Sequence, residues 1–318
     1  MRKAAALITI AALAATACVS ERPDPTAIDD IVATGQASQG GAGAVAMNIV
    51  DLANSMLETQ GAEYRVAYAE YLTTTGMPAS QNIILARDVG LQRLPHDFIP
   101  GDPRRATFDL DGDPNTIDVI IDQIDGATTN GLTVPVTTTA IARAMGTWDA
   151  QTCSSLGMNL AAAPFDLGLV QAILGFGGGV ILADIMHAGW MPGAFFDLVL
   201  PGGSGFILGV TFTLTFTTGD LDGNGLADVA AREIYYNDAF PWADNGINMV
   251  DVETVALHEA GHGLSQNHFG KIFFNPNSGK LVFSPLAVMN AGIAFPNRDL
   301  DGTDVGGHCG TWGNWPNN

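Results

Sequence analysis

Basic residues are scarce in this chain of 318 residues, which has 13 Lys and Arg against 33 Asp and Glu and a formal net charge of −20. A nucleic-acid-binding protein needs a basic footprint that neutralises phosphate groups. The composition therefore argues against a nucleic-acid partner. The surplus of carboxylates fits calcium binding, and equally fits solubility alone. The 47% hydrophobic content and the 38 glycines predict a packed core with many strands and loops.

Long apolar runs are also few. Residues 167–183 are almost continuously apolar but include five glycines. The length of this run is at the low end of the roughly 17–25 residues that span a membrane, and glycine weakens a helix. We therefore predict a loop that enters a buried strand over residues 180–188, rather than a membrane span.

The other apolar run has the organisation of an export signal. Arg2 and Lys3 precede apolar residues 4–15, and small residues stand directly before Cys18. We predict a signal peptide over residues 1–17. The segment resembles a bacterial lipoprotein signal, which implies lipidation of Cys18 and a lipid anchor in the cell envelope, at the outer membrane. The alternative is ordinary secretion with Cys18 as the new N-terminus.

Cysteine occurs at three positions, Cys18, Cys153 and Cys309. Cys18 is expected to become the processed N-terminus or to be lipidated, and export takes the mature chain to a compartment where disulfides persist. We predict a disulfide between Cys153 and Cys309, against the alternative of two buried thiols.

Composition divides the mature chain into three segments. Residues 18–43 are rich in Pro, Asp, Ala, Ser, Gln and Gly, which predicts a flexible tether. Residues 44–104 are expected to be an N-terminal subdomain or a pro-like segment, and end in a proline-rich boundary. Residues 105–318 are expected to be the main domain.

Hydrophobic periodicity predicts several elements in these segments. Asn248, with Asp251 three residues on, is expected to cap a helix that includes His258 and His262. We predict further helices over residues 45–57 and 137–150, and strands over residues 64–73, 82–88, 118–122, 205–216 and 232–242, the last ending in a turn.

The most informative motif begins at His258 and ends at His262. Residues four apart project from the same face of a helix, so both imidazoles can bind one zinc ion. Glu259 then lies beside the ion, where it can take a proton from a water molecule and pass it to a leaving amine. Two such histidines alone are a weak signal. The alternative without a metal is an amphipathic helix whose histidines cap a polar face.

A third ligand must come from outside this helical face. No Asp or Glu occurs between Gly263 and Arg298, so a nearby carboxylate ligand is excluded. His268 follows His262 by six residues and must reach back from a chain that has turned out of the helix. We predict a zinc site of His258, His262 and His268 with its fourth position open to water.

The stretch from His258 to His268 resembles the extended zinc signature of the metzincin metallopeptidases, HExxHxxGxxH. Ser265 stands where the family usually has a glycine, which permits a positive φ at the helix end. Met289 matches the methionine that these enzymes carry in a tight turn beneath the zinc. Segments near residues 140–149 and 304–313 are similar to the first and last helices of matrixins, a branch of this family.

This resemblance covers about residues 105–315 and implies an α+β fold. It implies a zincin-like or metzincin-like catalytic domain with a twisted mixed sheet, a backing helix, an active-site helix and a short C-terminal helix. Matrixin pro-segments silence the zinc with a cysteine thiolate. No cysteine lies between Cys18 and Cys153, so that switch is absent here.

The strand at residues 205–216 corresponds by its order to the matrixin edge strand. A peptide substrate can add to such an edge as a further strand, and we predict Leu208 and Gly209 as substrate contacts. The alternative is an internal strand that contributes packing alone. Residues 290–295 are expected to form one wall of the pocket for the side chain after the scissile bond.

Two acidic stretches have the alternating oxygen pattern of calcium loops. The stronger one has suitable side chains at loop positions one, three, five and nine and a glycine at the turn position: Asp220, Asp222, Asn224, Asp228 and Gly225. The weaker one, with proline where the loop needs glycine, has the alternative of an acidic turn: Asp109, Asp111 and Asp113.

Together these patterns predict a zinc-dependent metalloendopeptidase that hydrolyses peptide bonds in protein or peptide substrates. A second hypothesis is a calcium-stabilised cell-surface binding module with a structural zinc, or a degenerate peptidase site. A third is a hydrolase that acts on a non-peptide amide.

Overall fold

The computed structural model describes residues 42–74, 93–105, 109–124, 131–248, 250–275 and 280–317. The predicted signal peptide, Cys18, nearly all of the tether and the strand at residues 82–88 lie outside these ranges. Among the helices of the described ranges, none is both long enough and apolar enough to cross a membrane.

The described residues form six α-helices, ten strands and a short 3₁₀ helix, Gly203–Gly205. The helices are α1 Ala42–Thr59, α2 Val134–Asp149, α3 Leu169–Ile173, α4 Gly193–Val199, α5 Val252–Gly263 and α6 Gly302–Trp312. The strands are β1 Tyr64–Thr74, β2 His96–Asp97, β3 Ile117–Asp122, β4 Met158–Ala162, β5 Ile185–Met191, β6 Ile207–Phe216, β7 Ala227–Asn237, β8 Lys271–Asn275, β9 Lys280–Ser284 and β10 Gly292–Ile293.

One mixed sheet organises these elements. Its strand order is β10-β1-β6-β7-β5-β3-β4, with β2 added beside β7. The pairs β1–β6 and β6–β7 are antiparallel, and the other pairs in this sheet are parallel. Strands β8 and β9 form a separate antiparallel hairpin. A mixed sheet with six helices agrees with the α+β class expected from the sequence.

The sheet is buried on both faces. Successive residues of a strand point to opposite sides, so alternate side chains enter different apolar clusters. Val119 and Ile121 join one apolar cluster with side chains of α2, α5 and α6. Ile120, between them, joins a second cluster with side chains of α1, α3 and α4. Burial on both sides explains why β3 is buried at every position, although the sequence predicts only that it is a strand.

The described part of residues 44–104 belongs to this same structure. Strand β1 lies inside the sheet, and Gly40–Asn318 form one compact unit. Helix α1 anchors the start of β1, because the Asn54 side chain accepts from the Val66 N–H at 2.7 Å and donates to the Val66 carbonyl at 2.8 Å. The segment is therefore not a separate N-terminal subdomain in its described residues.

The expectation of a free sheet edge at residues 205–216 is wrong for the described chain. Strand β6 pairs with β7 on one side and with β1 on the other. The sequence pattern could not reveal this, because β1 comes more than 130 residues earlier in the chain.

The buried strand predicted over residues 180–188 begins later, at Ile185. Gly177 and Gly178 have φ of 107° and 83°, so the chain there follows a loop that only glycine adopts freely. Val180 is 52% exposed, which excludes it from the core despite its apolar side chain. The strand then continues to Met191.

A disulfide joins Cys153, just after α2, to Cys309 in α6, across a sequence separation of 156 residues. The bond restricts the unfolded chain, and its effect grows with the length of the closed loop. It ties together two elements that pack on the same face of the sheet, α2 and α6.

We predict that the double substitution Cys153→Ser/Cys309→Ser lowers the free energy of unfolding by about 2–5 kcal/mol, because the unfolded chain regains the entropy of a long loop. Urea unfolding of the oxidised wild-type and the double variant measures the difference. The wild-type after reduction should match the variant. Equal stabilities of all three forms would contradict this role of the bond.

Candidate metal centre

Helix α5, which carries two of the three histidines, begins at a cap made by Asp251. The Asp251 carboxylate accepts from the Thr254 N–H at 3.1 Å and from the Thr254 hydroxyl at 2.9 Å. Such a cap satisfies an N–H that has no partner within the helix. The prediction that Asn248 caps this helix is therefore wrong. The Asn248 N–H donates to the Asn245 side chain, in the loop before the helix.

The helix ends in a reversal of the chain at Ser265. Its φ is 63°, and it is the one non-glycine residue with positive φ among the described residues. The Arg232 guanidinium donates to the Gly263 carbonyl at 2.7 Å and to the Ser265 hydroxyl at 3.0 Å. The serine that replaces the glycine of the metzincin pattern therefore adopts the same kind of turn, and its hydroxyl has a buried partner.

This reversal returns His268 to the face of α5 that carries His258 and His262. The three Nε2 atoms lie 3.1–3.2 Å from one another. A tetrahedral zinc ion at about 2.0–2.1 Å from each nitrogen requires nitrogens about 3.3 Å apart. The three imidazoles therefore fit one zinc ion with little rearrangement.

The other ring nitrogen of each histidine also has an acceptor nearby. His258 Nδ1 lies 2.7 Å from the Val288 carbonyl, and His262 Nδ1 lies 2.9 Å from the Gln266 carbonyl. His268 Nδ1 lies 3.4 Å from the carboxylate of Glu70, a residue that the sequence did not predict to be part of the site. An N–H at Nδ1 leaves the Nε2 lone pair free for a metal, so these acceptors set the tautomer that a zinc site needs.

Burial keeps the two helical imidazoles neutral. It lowers the pKa of His258 to about 4 and that of His262 well below its ordinary value, where the neighbouring His268 and His258 act in the same direction. Neutral imidazole is the form that binds a metal.

Glu259 is completely buried next to these histidines. It accepts from the Thr211 hydroxyl of β6 at 2.6 Å. Burial raises the pKa of Glu259 to about 8, and the Thr211 hydrogen bond opposes that rise. A Cβ at Gly209 would lie 2.9 Å from Glu259 Oε1, so glycine permits the close approach of β6 to this carboxylate.

Met289 lies against the opposite side of α5. A Cβ at Gly261 would overlap the Met289 sulfur and would lie 3.0 Å from a ring carbon of Trp148. The Asp304 carboxylate accepts from the Val288 N–H at 2.8 Å and the Met289 N–H at 3.1 Å, which fixes the turn that carries the methionine. Asp304 was also missed, because it is an ordinary acidic residue near a helix start.

A small pocket opens beside His258, and Thr254 and Asn297 are among its polar lining residues. Most of its lining is apolar, including Phe283, Leu286, Ala287, Val288, Ile293 and Phe295. Of the residues 290–295 that were expected to form a pocket wall, all but residue 291 line it. Of the predicted substrate contacts on β6, Gly209 is already paired with Leu72 of β1, and Leu208 lies at the irregularity between this pair and the next, Thr73 with Ile207.

The remaining histidines lie away from this cluster. His187 is buried, with Nδ1 2.7 Å from the Tyr236 hydroxyl, and burial lowers its pKa to about 3. His308 packs on Trp148. His96 is buried in β2. Within the described residues, the three histidines of the cluster are the group of imidazoles that could share a metal.

The two acidic loops differ in geometry. Oxygens of Asp220, Asp222 and Asp228 lie within 4.8 Å of one another and could share a cation. Asp109, Asp111 and Asp113 form no such group in the described chain; their carboxylates accept from backbone N–H groups of their own loop.

No known protein-family model matches this chain, and no curated protein is detectably similar to it. The function must therefore be argued from the residues of the site.

We predict that Gly261→Ala weakens zinc binding and lowers the free energy of unfolding by about 1–3 kcal/mol, because the new methyl group overpacks the contact with Met289 and Trp148. Gly146→Ala is the matched control, since it is an exposed helical glycine with open space around its Cβ position. The control should be neutral or gain up to about 1 kcal/mol. Thermal unfolding and zinc titration measure both variants, and equal behaviour would contradict the close contact.

Proposed function

We propose that this protein is a zinc-dependent endopeptidase of metzincin type. The observation that carries the proposal is the convergence of three Nε2 atoms within 3.1–3.2 Å, with the Glu259 carboxylate on the same helix. The resemblance of the stretch from His258 to His268 to the metzincin signature, and the position of Met289 against α5, support the same conclusion.

His258, His262 and His268 would hold the zinc ion. When bound, the ion supplies a Lewis acid that polarises a carbonyl oxygen and acidifies a water molecule. Glu259 provides the base. Its carboxylate takes the proton of the attacking water and delivers it to the amine of the leaving peptide. Thr211 orients that carboxylate through its 2.6 Å hydrogen bond.

The pocket beside His258 suggests the substrate class. Because its lining is mostly apolar, with Phe283, Leu286 and Phe295 at its sides, it would take an apolar side chain. The substrate is then a polypeptide with an apolar residue after the scissile bond. Leu208 and Gly209 remain predictions as contacts for the substrate backbone.

A second candidate is a calcium-stabilised binding module in which the zinc is structural. Two observations favour it: Glu259 has no exposed surface, and β1 covers the edge of β6. A structural zinc site is closed, whereas a catalytic one keeps a position open. The two candidates differ in whether the site ever opens.

The peptidase proposal predicts that Glu259→Ala binds one zinc ion per chain but hydrolyses casein about 10²–10⁴-fold more slowly, because the proton-transfer group is lost. Glu58→Ala, at an exposed position of α1, should retain the wild-type rate. A zinc chelator should abolish hydrolysis by the wild-type. Metal analysis and a casein assay make the comparison.

Two outcomes would decide against this assignment. Hydrolysis by Glu259→Ala at the wild-type rate would remove Glu259 as the base. Full zinc occupancy without hydrolysis would favour the binding module, if it is found both in the wild-type and in a variant whose β1 pairs less firmly with β6.

Calcium would stabilise the loop of Asp220, Asp222, Asn224 and Asp228. Asp97 of β2 adds a further carboxylate, because its Oδ2 accepts from the Asn224 side chain at 3.1 Å. Asp97 and Asp228 are both almost fully buried, and each has one oxygen without a hydrogen-bond partner in the described chain. Oxygens in this number and arrangement suit calcium.

We predict that calcium raises the unfolding temperature of the wild-type, with a gain of about 3 kcal/mol at a hundredfold excess over its dissociation constant. Asp220→Asn should lose most of this gain, because an exposed ligand charge is removed without disturbing the core. Asp109→Asn, the first residue of the other acidic loop, is the matched control. Thermal unfolding with and without calcium provides the measurement, and an equal gain in both variants would exclude this site.

A further inference from the structure

We infer that β1 is an internal ligand of the active-site groove, and that its C-terminal half must leave the groove before a peptide is hydrolysed. The inference names the segment that controls access to the site, and it rests on the proposed peptidase function. It is carried by the backbone pairing of β1, by its contacts with Glu259 and His268, and by the burial that results.

The pairing of β1 is that expected of a bound peptide. It runs antiparallel to β6, with Leu72 opposite Gly209, and parallel to β10, with Thr73 opposite Gly292 and Thr74 opposite Ile293. An extended peptide that adds to a sheet uses these same backbone N–H and C=O groups. Strand β10 belongs to the wall of the apolar pocket, so β1 occupies the space between β6 and that wall.

Residues 70–72 of β1 pass directly over the catalytic groups. The Leu72 N–H approaches the Glu259 carboxylate within hydrogen-bonding reach. The Glu70 carboxylate lies 3.4 Å from His268 Nδ1. The backbone between these two residues therefore lies where the backbone of a substrate must lie for Glu259 to act on its water molecule.

Burial shows the consequence for access. Leu72 and Glu259 have no exposed surface, and His258 is 1% exposed. A peptide cannot approach a base that is fully covered, and β6 offers no free backbone groups at Gly209 while β1 is paired with it. Hydrolysis therefore requires a state in which residues 70–74 have moved away from β6.

The two halves of β1 are anchored differently. The N-terminal half is fixed by α1, through Asn54 and through Val66 in the second apolar cluster. The C-terminal half is held on its outer side by the two-residue strand β10, where the Thr73 N–H lies 3.4 Å from the Ala291 carbonyl. A long N–H···O contact of this kind is weak. Separation of the C-terminal half must also break the hydrogen bonds from the Thr73 hydroxyl to the Ala291 carbonyl at 3.2 Å and from the Thr74 N–H to the Phe206 carbonyl at 2.8 Å, whereas the contacts of the N-terminal half with α1 can remain.

Two substitutions move this strand in opposite directions. Leu72→Asn puts an amide into an apolar site and weakens the docking of β1. Tyr71→Cys/Val210→Cys joins directly opposed residues of β1 and β6, at a spacing that a disulfide spans, and locks the strand when oxidised. Arg65→Cys/Thr215→Cys is the matched control, because it links the same two strands at the end away from the site.

Hydrogen exchange of residues 207–211 reports the opening without depending on catalysis. We expect Leu72→Asn to exchange there at least about tenfold faster than the wild-type, and to hydrolyse an unstructured peptide faster by a similar factor. The oxidised Tyr71→Cys/Val210→Cys form should hydrolyse it at least about tenfold more slowly and recover on reduction. The oxidised control should act like the wild-type, and the wild-type treated with the same reductant accounts for the native disulfide.

The outcomes separate the two proposals. Unchanged exchange in Leu72→Asn, or wild-type hydrolysis by the oxidised Tyr71→Cys/Val210→Cys form, would overturn the role of β1. Faster exchange in Leu72→Asn, with no hydrolysis by any zinc-loaded form, would support β1 as the ligand of the groove and overturn the peptidase function. Should Leu72→Asn fail to fold, the locked variant still decides, because its bond preserves the native pairing.

Discussion

The metal-binding geometry depends on the reversal of the chain at Ser265. Helix α5 can present only two of the three histidines, and the third must come from a segment that turns back across the end of the helix. Arg232 stabilises this turn, because its buried guanidinium faces the Gly263 carbonyl, where the helix dipole places partial negative charge. Burial lowers the pKa of Arg232 to about 9, yet the group stays cationic at neutral pH. Without this contact, His268 would lose its fixed position and α5 would offer two donors, too few for a stable zinc site.

Contacts with distant segments of the domain fix α5. Trp148 of α2 donates to the Leu257 carbonyl at 2.9 Å, and Met289 packs against Gly261 beside the same tryptophan. Asp304, at the start of α6, binds the backbone of the methionine turn. Each contact joins segments that are distant in sequence, and the disulfide of α6 adds a covalent link to the same side of the sheet. A rigid support of this kind keeps metal ligands at the spacing that an ion requires.

The closed state of the site reconciles features that otherwise conflict. The proposed hydrolase chemistry needs groups that a substrate can reach, whereas His258, His262 and Glu259 are buried as in a structural centre. Strand β1 accounts for both, because it completes the sheet and at the same time covers the groups that would act on a peptide. The chain lacks a cysteine between Cys18 and Cys153 that could silence a zinc ion, so a strand paired in the groove would be its means of restraint.

Local patterns in the sequence were enough to predict the elements that carry the site. The spacing of His258 and His262 sets one helical face, and the absence of acidic residues between Gly263 and Arg298 leaves His268 as the nearby third donor. These depend on neighbours within about ten residues, which the helix period relates directly. Glu70, Arg232 and Asp304 could not be predicted, because their roles arise from contacts with segments 15 to about 200 residues away. The sequence by itself determined which side chains could bind a metal and act as a base. Only the tertiary structure decided that β1 covers them, because backbone pairing between strands is nearly independent of side chains and is selected by how the whole sheet packs.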